Sequence, residues 1–408
     1  MNTALNTLDL FAGCGGLTEG FLRTGHYNTI GAVEWDKAPA DTLRHRLNTA
    51  WKIENPENIV IRFDIQRTDE LFNGFEDSEY GIHKGLDSII KEPVDVIIGG
   101  PPCQAYSLAG RIRDENGMRN DYRNYLFESY IKIVKHYKPK FFVFENVVGL
   151  LSAAPDGTLI IERISKAFRE AGYIILDNFK NALYDVADFG IPQHRKRIII
   201  LGISESHYQD KGREMLSDFY ANIIPELKKQ TRKKTVNDAI GDLPPLYPVE
   251  NPEEKGNRRH SHIQFEETFI PNHQPRFHSQ RDIAVFRKLA EDIESGRREY
   301  VSIEKLKQLY TEVTGKKSNI HKYYVLRKNE PSNTIPAHLY KDGMRHIHPD
   351  PEQARSITPR EAARLQTFPD DYEFLGATMY QYKMIGNAVP VDFASIIAEA
   401  LYILYSKY

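Results

Sequence analysis

Gly99-Gly100-Pro101-Pro102-Cys103-Gln104 decides the reading of this chain, because it follows directly on the apolar run Val94-Asp95-Val96-Ile97-Ile98. The run reads as a buried strand. Beyond it two prolines fix φ, so the loop presents one thiol with little entropy left to lose. A second apolar run, Phe141-Phe142-Val143-Phe144, ends in the same manner at Glu145-Asn146-Val147. In open parallel sheets reactive groups collect at the carboxyl ends of strands. A thiol nucleophile and a carboxyl acid delivered this way point to covalent catalysis assisted by proton transfer.

Outward from these two points, strand alternates with helix. The expected strands are 7–11, 29–34, 59–63, 94–98, 141–145, 173–176 and 197–202, with helices over 38–47, 122–136 and 159–171, the last stopped at Gly172. This alternation predicts an α/β fold, a doubly wound, mostly parallel sheet with helices on both faces. Residues 72–91 are polar and mixed in charge, and read as a surface insertion of little consequence. After Gly202 the periodicity fades. Basic clusters (Lys228-Lys229-Gln230-Thr231-Arg232-Lys233-Lys234, Arg258-Arg259-His260) mix with prolines and aromatics, which predicts a second, smaller domain over 204–329. Residues 1–203 then form the large domain and 330–408 return to it. In the returning segment Thr358 caps a helix with Pro359 at its first position, and residues 391–405 form a docked apolar helix.

With 408 residues, 27% charged and 41% hydrophobic, the chain is long enough for two cores and has the composition of a soluble protein. A net charge of −2 argues neither for nor against nucleic acid, since local clusters matter more than totals. Only Cys14 and Cys103 are present, which provides no disulfide framework and fits a reducing compartment. The first residues lack the features of a signal peptide, and no apolar run approaches the roughly 20 residues that span a bilayer. A cytoplasmic protein with no membrane partner and no metal is expected.

The first strand runs into Asp9-Leu10-Phe11-Ala12-Gly13-Cys14-Gly15-Gly16-Leu17, where glycines permit a tight strand-to-helix turn and close approach of a ligand. The dinucleotide pattern G-x-G-x-x-G is not met, because Thr18 stands where its last glycine belongs. Glu34 ends the second strand and could accept ribose hydroxyls. Asp64 follows the third and could accept an adenine amino group, with Phe11 and Trp35 packing on the adenine. Cys14 reads as packing.

Taken together, residues 9–21, Glu34-Trp35, Asp64, 101–104, 145–147, Gln193-His194-Arg195-Lys196-Arg197, 355–369 and Gly386-Asn387-Ala388-Val389-Pro390 resemble, in order, the DNA (cytosine-5)-methyltransferases. The resemblance covers nearly the whole chain outside the basic middle region. It implies a sheet of the S-adenosylmethionine-dependent methyltransferase type with a smaller DNA-recognition domain. It also implies methyl transfer from S-adenosylmethionine to carbon 5 of a flipped-out cytosine in double-stranded DNA. Carbon 5 is a poor nucleophile. Cys103 would add to carbon 6 while Glu145, its pKa raised by the neighbouring phenylalanines, protonates ring nitrogen 3. Arg195 would steer the cytosine, and Arg197 would brace the pocket.

Cofactor contacts are implied for Phe11, Gly13, Gly16, Leu17, Glu34, Trp35, Asp64, Ile65, Pro101, Leu126, Asn387 and Val389. DNA contacts are implied for Gln104, Ser107, Arg111 and Arg197, the first three on a loop that closes over the DNA. Residues 204–329 occupy the place of the recognition region, whose base-reading side chains the sequence does not name. Arg360, Glu361, Arg364 and Gln366 read as organisers of the second lobe by ion pairs. A monomer, paired with a restriction endonuclease in a restriction–modification system, is the expectation. The rival readings are an RNA cytosine-5 methyltransferase on the same fold and a non-catalytic DNA-binding regulator. A nucleotide-dependent dehydrogenase stands further off.

Overall fold

The computed structural model describes residues 4–102, 126–154, 157–255, 258–265, 268–317, 323–341 and 343–408. The chain divides into two compact units. The first comprises 1–189, 196–232 and 388–408, the second 190–195 and 233–387.

The first unit is built on an eight-stranded sheet. Its strands are β1 (Leu5–Leu10), β2 (Tyr27–Glu34), β3 (Val60–Arg62), β6 (Val96–Gly99), β7 (Phe141–Val147), β8 (Tyr173–Ile174), β9 (Leu183–Asp185) and β10 (Lys196–Ser204). A separate hairpin, β4 (Phe75–Asp77) with β5 (Gly81–His83), lies between β3 and β6 in sequence. The order is β3-β2-β1-β6-β7-β10-β8, with β9 on β10. The pairs from β3 through β7 are parallel, whereas β10 runs antiparallel to β7, β8 and β9. This is the mostly parallel, helix-flanked sheet expected. Strands buried on both faces explain the unbroken apolar runs: Val96, Ile97 and Ile98, and Phe141, Phe142, Val143 and Phe144, are all fully buried.

The order reverses between β1 and β6, and such a switch point opens a crevice outside the carboxyl ends of the strands. Leu10 pairs with Gly99 there, which sets the glycine turn after β1 next to the Gly-Gly-Pro-Pro segment after β6.

The two units are divided at other places than 203/204 and 329/330. Residues 204–232 belong to the first unit because they bury Met215, Leu216, Phe219 and Ile224. Tyr220 Oη also donates to Ile199 O of β10 at 2.8 Å. Residues 330–387 belong to the second. The stretch Thr378–Lys407 is long and apolar enough to cross a bilayer by length and composition, against the expectation that no run reaches that size. It consists of two helices, Thr378–Asn387 and Val391–Lys407, and the latter buries Phe393, Ala394, Ile397, Leu401 and Leu404.

The second unit pairs β11 (Leu246–Lys255) with β12 (Arg258–Gln264), and packs the helices Gln280–Glu294 and Ile303–Thr314 around Phe286, Leu289, Leu309 and Ile347. Its polar centre is Arg355, bonded through both Nη groups to Glu361 at 2.6 and 2.7 Å with both side chains 1% exposed. Glu361 also closes the capping box of Thr358. Burial works against its charge, but Arg355 holds its carboxyl well below the usual range.

Candidate active site and cofactor cleft

The site residues gather at the carboxyl edge of the first unit's sheet, at the ends of β1, β2, β3, β6 and β7. The turn after β1 is tightly wound: Phe11, Gly13 and Gly15 all have left-handed backbone, with φ of 60°, 58° and 88°. Phe11 is a non-glycine residue in that region, a strained position of the kind found at ligand clamps. Glu34, at the end of β2, fastens the turn by accepting from Gly13 N and Asp36 N, both at 2.8 Å. Burial pushes its carboxyl up to about 7, while those two backbone donors oppose the shift. Asp9 lies beneath the turn, fully buried, and accepts the Thr18 hydroxyl at 2.5 Å. Burial raises Asp9 to about 7 as well.

Of the residues expected in the cofactor cleft, Phe11, Gly13, Glu34, Trp35, Asp64, Ile65 and Pro101 all stand at strand ends on this edge. Trp35 is 50% exposed and Ile65 is buried. Asp64 caps its own turn by accepting from Gln66 N at 3.0 Å. Leu17, Leu126 and Val389 are buried. Gly16 has a packing task besides the contact expected of it. A β-carbon there would stand 2.4 Å from Val389 O, so its missing side chain serves close packing of the Gly16–Arg23 helix on the returning chain. Cys14 is buried, as expected of a packing residue, and burial pushes its thiol up.

At the β6 and β7 ends the contacts are closer. Glu145 Oε1 lies 2.7 Å from Arg197 Nε, an ion pair whose N–H direction misses hydrogen-bond alignment. The register explains the meeting: Glu145 pairs with Ile199 and Val147 with Arg197, so Arg197 is the diagonal neighbour on the same face. The other oxygen, Oε2, lies 2.5 Å from where a Gly100 β-carbon would stand. Asn146 Nδ2 donates to Pro101 O at 3.2 Å and ties the two strand ends together. Sequence reading quoted Asn146 without a role. Its signal was its place beside Glu145. Cys103, Gln104, Ser107 and Arg111 lie outside the described residues, which resume at Leu126.

Arg195 and Asn387 belong to the second unit. The Arg195 guanidinium donates to Ile335 O at 2.9 Å and Gly386 O at 3.0 Å, and the side chain is 2% exposed. Both Nη groups therefore brace backbone in a residue expected to steer substrate, while Arg197, expected to brace, holds the carboxyl. Gln193 is a further organiser. It donates to Leu365 O and Gln366 Oε1 and accepts from Ile335 N. Arg360 bonds three carbonyls, of Pro271, Pro369 and Tyr372. Arg364 pairs with Asp242 and Asp370, as expected of a residue that organises its unit. In the basic cluster Lys228 pairs with Asp188 at 2.8 Å and Lys229 with Glu226 at 2.9 Å.

Residues 5–402 match the family model of the C-5 cytosine-specific DNA methylases. The chain belongs to that family. This methyltransferase is 33% identical to the Type II methyltransferase M.Bpa9945I of Bacillus paralicheniformis, over 97% of this chain and 98% of that one. It is 32% identical to the Type II methyltransferase M1.HphI of Haemophilus parahaemolyticus, over 98% and 87% of the two chains. A solved DNA modification methyltransferase encoded in an E. coli prophage shares the fold, with a TM-score of 0.64 at 24% identity, covering 99% of this methyltransferase and all of that chain.

Proposed function

We propose that this methyltransferase methylates carbon 5 of a cytosine flipped out of double-stranded DNA, through a transient bond from Cys103 to carbon 6. One observation carries the reading: the Glu145 carboxyl is held by Arg197 on one side and packed over Gly100 on the other, three residues before Cys103. A carboxyl in that place can give a proton to ring nitrogen 3 as the Cys103 thiolate adds to carbon 6. The addition places the electron pair on carbon 5, which becomes nucleophilic. Once carbon 5 carries the methyl group, loss of its proton to a base expels the thiolate, and the proton on ring nitrogen 3 returns to the Glu145 carboxylate, which restores the ring. Arg197 keeps Glu145 in place, and Arg195, whose guanidinium is fixed by Ile335 O and Gly386 O, is assigned to steer the cytosine.

The residues at the switch point suit S-adenosylmethionine. Gly13 has open space where a β-carbon would stand, the Trp35 face is half exposed, and Glu34 and Asp64 end neighbouring strands. When bound, S-adenosylmethionine supplies an electrophilic methyl group. Phe11, Gly13, Glu34, Trp35, Asp64, Ile65 and Pro101 would hold it, with Gly16, Leu17, Leu126, Asn387 and Val389 as further contacts. Gln104, Ser107 and Arg111 are assigned to the DNA. Residues 204–329, of which 233–329 lie in the second unit, are assigned to target recognition. The Type II relatives support a modification enzyme that protects DNA from a partner endonuclease, and a monomeric, cytoplasmic protein belongs to the same proposal.

The test uses a duplex library carrying 5-fluorocytosine, whose carbon 5 cannot lose a proton after methylation. With the methyl donor present, the wild-type protein is expected to form an adduct stable to denaturation, and Cys103→Ala is expected to form none. An adduct that survives Cys103→Ala would remove the assigned nucleophile. Unmodified cytosine throughout would remove the reaction.

A further inference from the structure

One cleft of the second unit has no task in the scheme above. It has a volume of about 460 Å³ and lies between the chain that follows β12 and the start of the helix Thr378–Asn387. Its walls carry Gln264, Thr268, Phe269, Gln274, Thr378 and Gln381. Among the described residues no Asp, Glu, Lys or Arg lines it. Such a wall offers a charged ligand no counter-ion, and suits the uncharged donor and acceptor edges of nucleobases. Phe269, 84% exposed, adds an apolar face. Strand β12, which ends at Gln264, begins at the basic Arg258-Arg259-His260. In DNA recognition phosphate contacts fix the register while a few polar side chains read bases, and both kinds of residue share this strand.

Most polar groups of the cleft are engaged within the protein. The Asn272 amide donates to Phe374 O and accepts from Phe374 N, both at 3.0 Å. The ring nitrogens of His273 are bonded to Thr358 Oγ1 and Pro244 O. Gln381 donates to Gly376 O at 2.9 Å, and Gln264 to Thr268 O. Gln274 differs: it is exposed, and its side-chain amide makes no hydrogen bond among the described residues. Its backbone neighbours are firmly held. Asn272 has left-handed backbone with φ of 62°, and Arg276 donates to Leu339 O and Tyr340 O at 2.8 and 3.0 Å. An unengaged amide between anchored residues is pre-organised, because little freedom is lost when it binds. The helix Thr378–Asn387 starts at the cleft, and near its other end Gly386 O accepts from Arg195 at 3.0 Å. From Thr378 to Gly386 the axis runs about 12 Å. That matches three to four base steps at roughly 3.4 Å each, so one short DNA site spans both places.

We propose that Gln274 reads the major-groove edge of an adenine–thymine pair in the methylated sequence, its amide paired with N6 and N7 of the adenine and Phe269 against the thymine methyl. A glutamine amide carries the donor and acceptor that match this edge. The proposal rests on the DNA methylation reading above, and names a base-reading side chain within the range assigned to recognition.

The test treats a randomised duplex library with the full chain and reads the marked sites by methylation sequencing. The wild-type protein should mark a sequence that contains an adenine–thymine pair. Gln274→Ala should lower discrimination at one such pair by about 10- to 100-fold and leave the preferences at the other positions of the site as they were. Gln274→Glu exchanges the amide donors for a second acceptor. It should move the preference at that pair toward cytosine in the adenine's place, because the cytosine amino group needs an acceptor. Phe269→Ala should lower discrimination at the same pair and at no other. A wild-type site without an adenine–thymine pair, unchanged preferences in Gln274→Ala, or a loss of rate uniform over all sequences would each overturn the proposal. If the wild-type protein methylates no duplex at all, the reading beneath it falls instead, and the proposal with it.

Discussion

Glu145 and Arg197 meet on neighbouring antiparallel strands with Oε1 and Nε 2.7 Å apart, and the second oxygen of Glu145 lies over Gly100. Charge holds the carboxyl from one side, and the absence of a side chain makes room for it on the other.

Gly100→Ala tests that arrangement without touching the carboxyl. The new β-carbon would stand 2.5 Å from Oε2 and must displace it. Positioned proton transfer contributes roughly 10²- to 10⁴-fold to a rate. Single-turnover methylation should therefore fall by at least about 10²-fold, with cofactor affinity within about twofold of wild type. Undiminished turnover would show that the carboxyl needs no such seat.

Asp9 predicts a dependence of stability on pH. Burial raises its folded value from 3.8 to about 7, and its Oδ1 has no hydrogen-bond partner among the described residues. A carboxyl raised in the folded state keeps its proton more tightly than the unfolded chain does. Its contribution is whole below 3.8 and is lost as pH rises through about 7, a loss of roughly 4 kcal/mol in total. Asp9→Asn keeps the shape without a titratable proton. Urea unfolding at pH 4, 5, 6, 7 and 8 should show a slope reduced by one proton, with the remaining fall in this window set in part by Glu34. An unchanged slope would place the ionisation elsewhere.

The second unit should be sensitive to acid. His262, His346 and His348 are pushed down to about 4 and His278 to about 3, all by burial, with Arg355 adding to the effect on His262, His278 and His348. His273 is lowered by burial too. Neutral imidazoles favoured by folding contribute stability above 6.5 that is lost as pH falls through about 4. Amide exchange in the full chain, corrected for intrinsic rates, should show the helix Gln280–Glu294 losing protection between pH 6.5 and 4.5 in steeper proportion than strands β1 and β6. His278→Gln should reduce the slope by one proton. Equal loss in both units would argue against the histidines as its cause.

The doubly wound sheet was legible because strands buried on both faces leave continuous apolar runs, as at Val96–Ile98 and Phe141–Phe144. Glu34, Asp64 and Glu145 were legible because each is an acid directly after such a run. Packing between distant segments left weaker traces. Gly16 carries the same letter whether or not it meets Val389, and only the fold reveals that packing. The insertion at 72–91 looked dispensable because its anchors, Phe75 and Tyr80 on Phe63, are single aromatics without period. The division near 232 escaped notice for the opposite reason. Residues 204–232 set five basic against five acidic residues, and that polar composition hides the buried Met215, Phe219 and Ile224. Arg195 and Arg197 stand two residues apart, and only the strand register tells which one reaches Glu145.

The helix that follows β1 is seated on the far end of the chain. Gly16 abuts Val389, a β-carbon on Gly20 would stand 2.4 Å from Ala394 Cβ, and Tyr27 donates to Ala398 O at 2.7 Å. During synthesis the glycine turn is therefore made early and completed late. A ribosome must deliver residues near 400 before the helix behind that turn has anything to rest on.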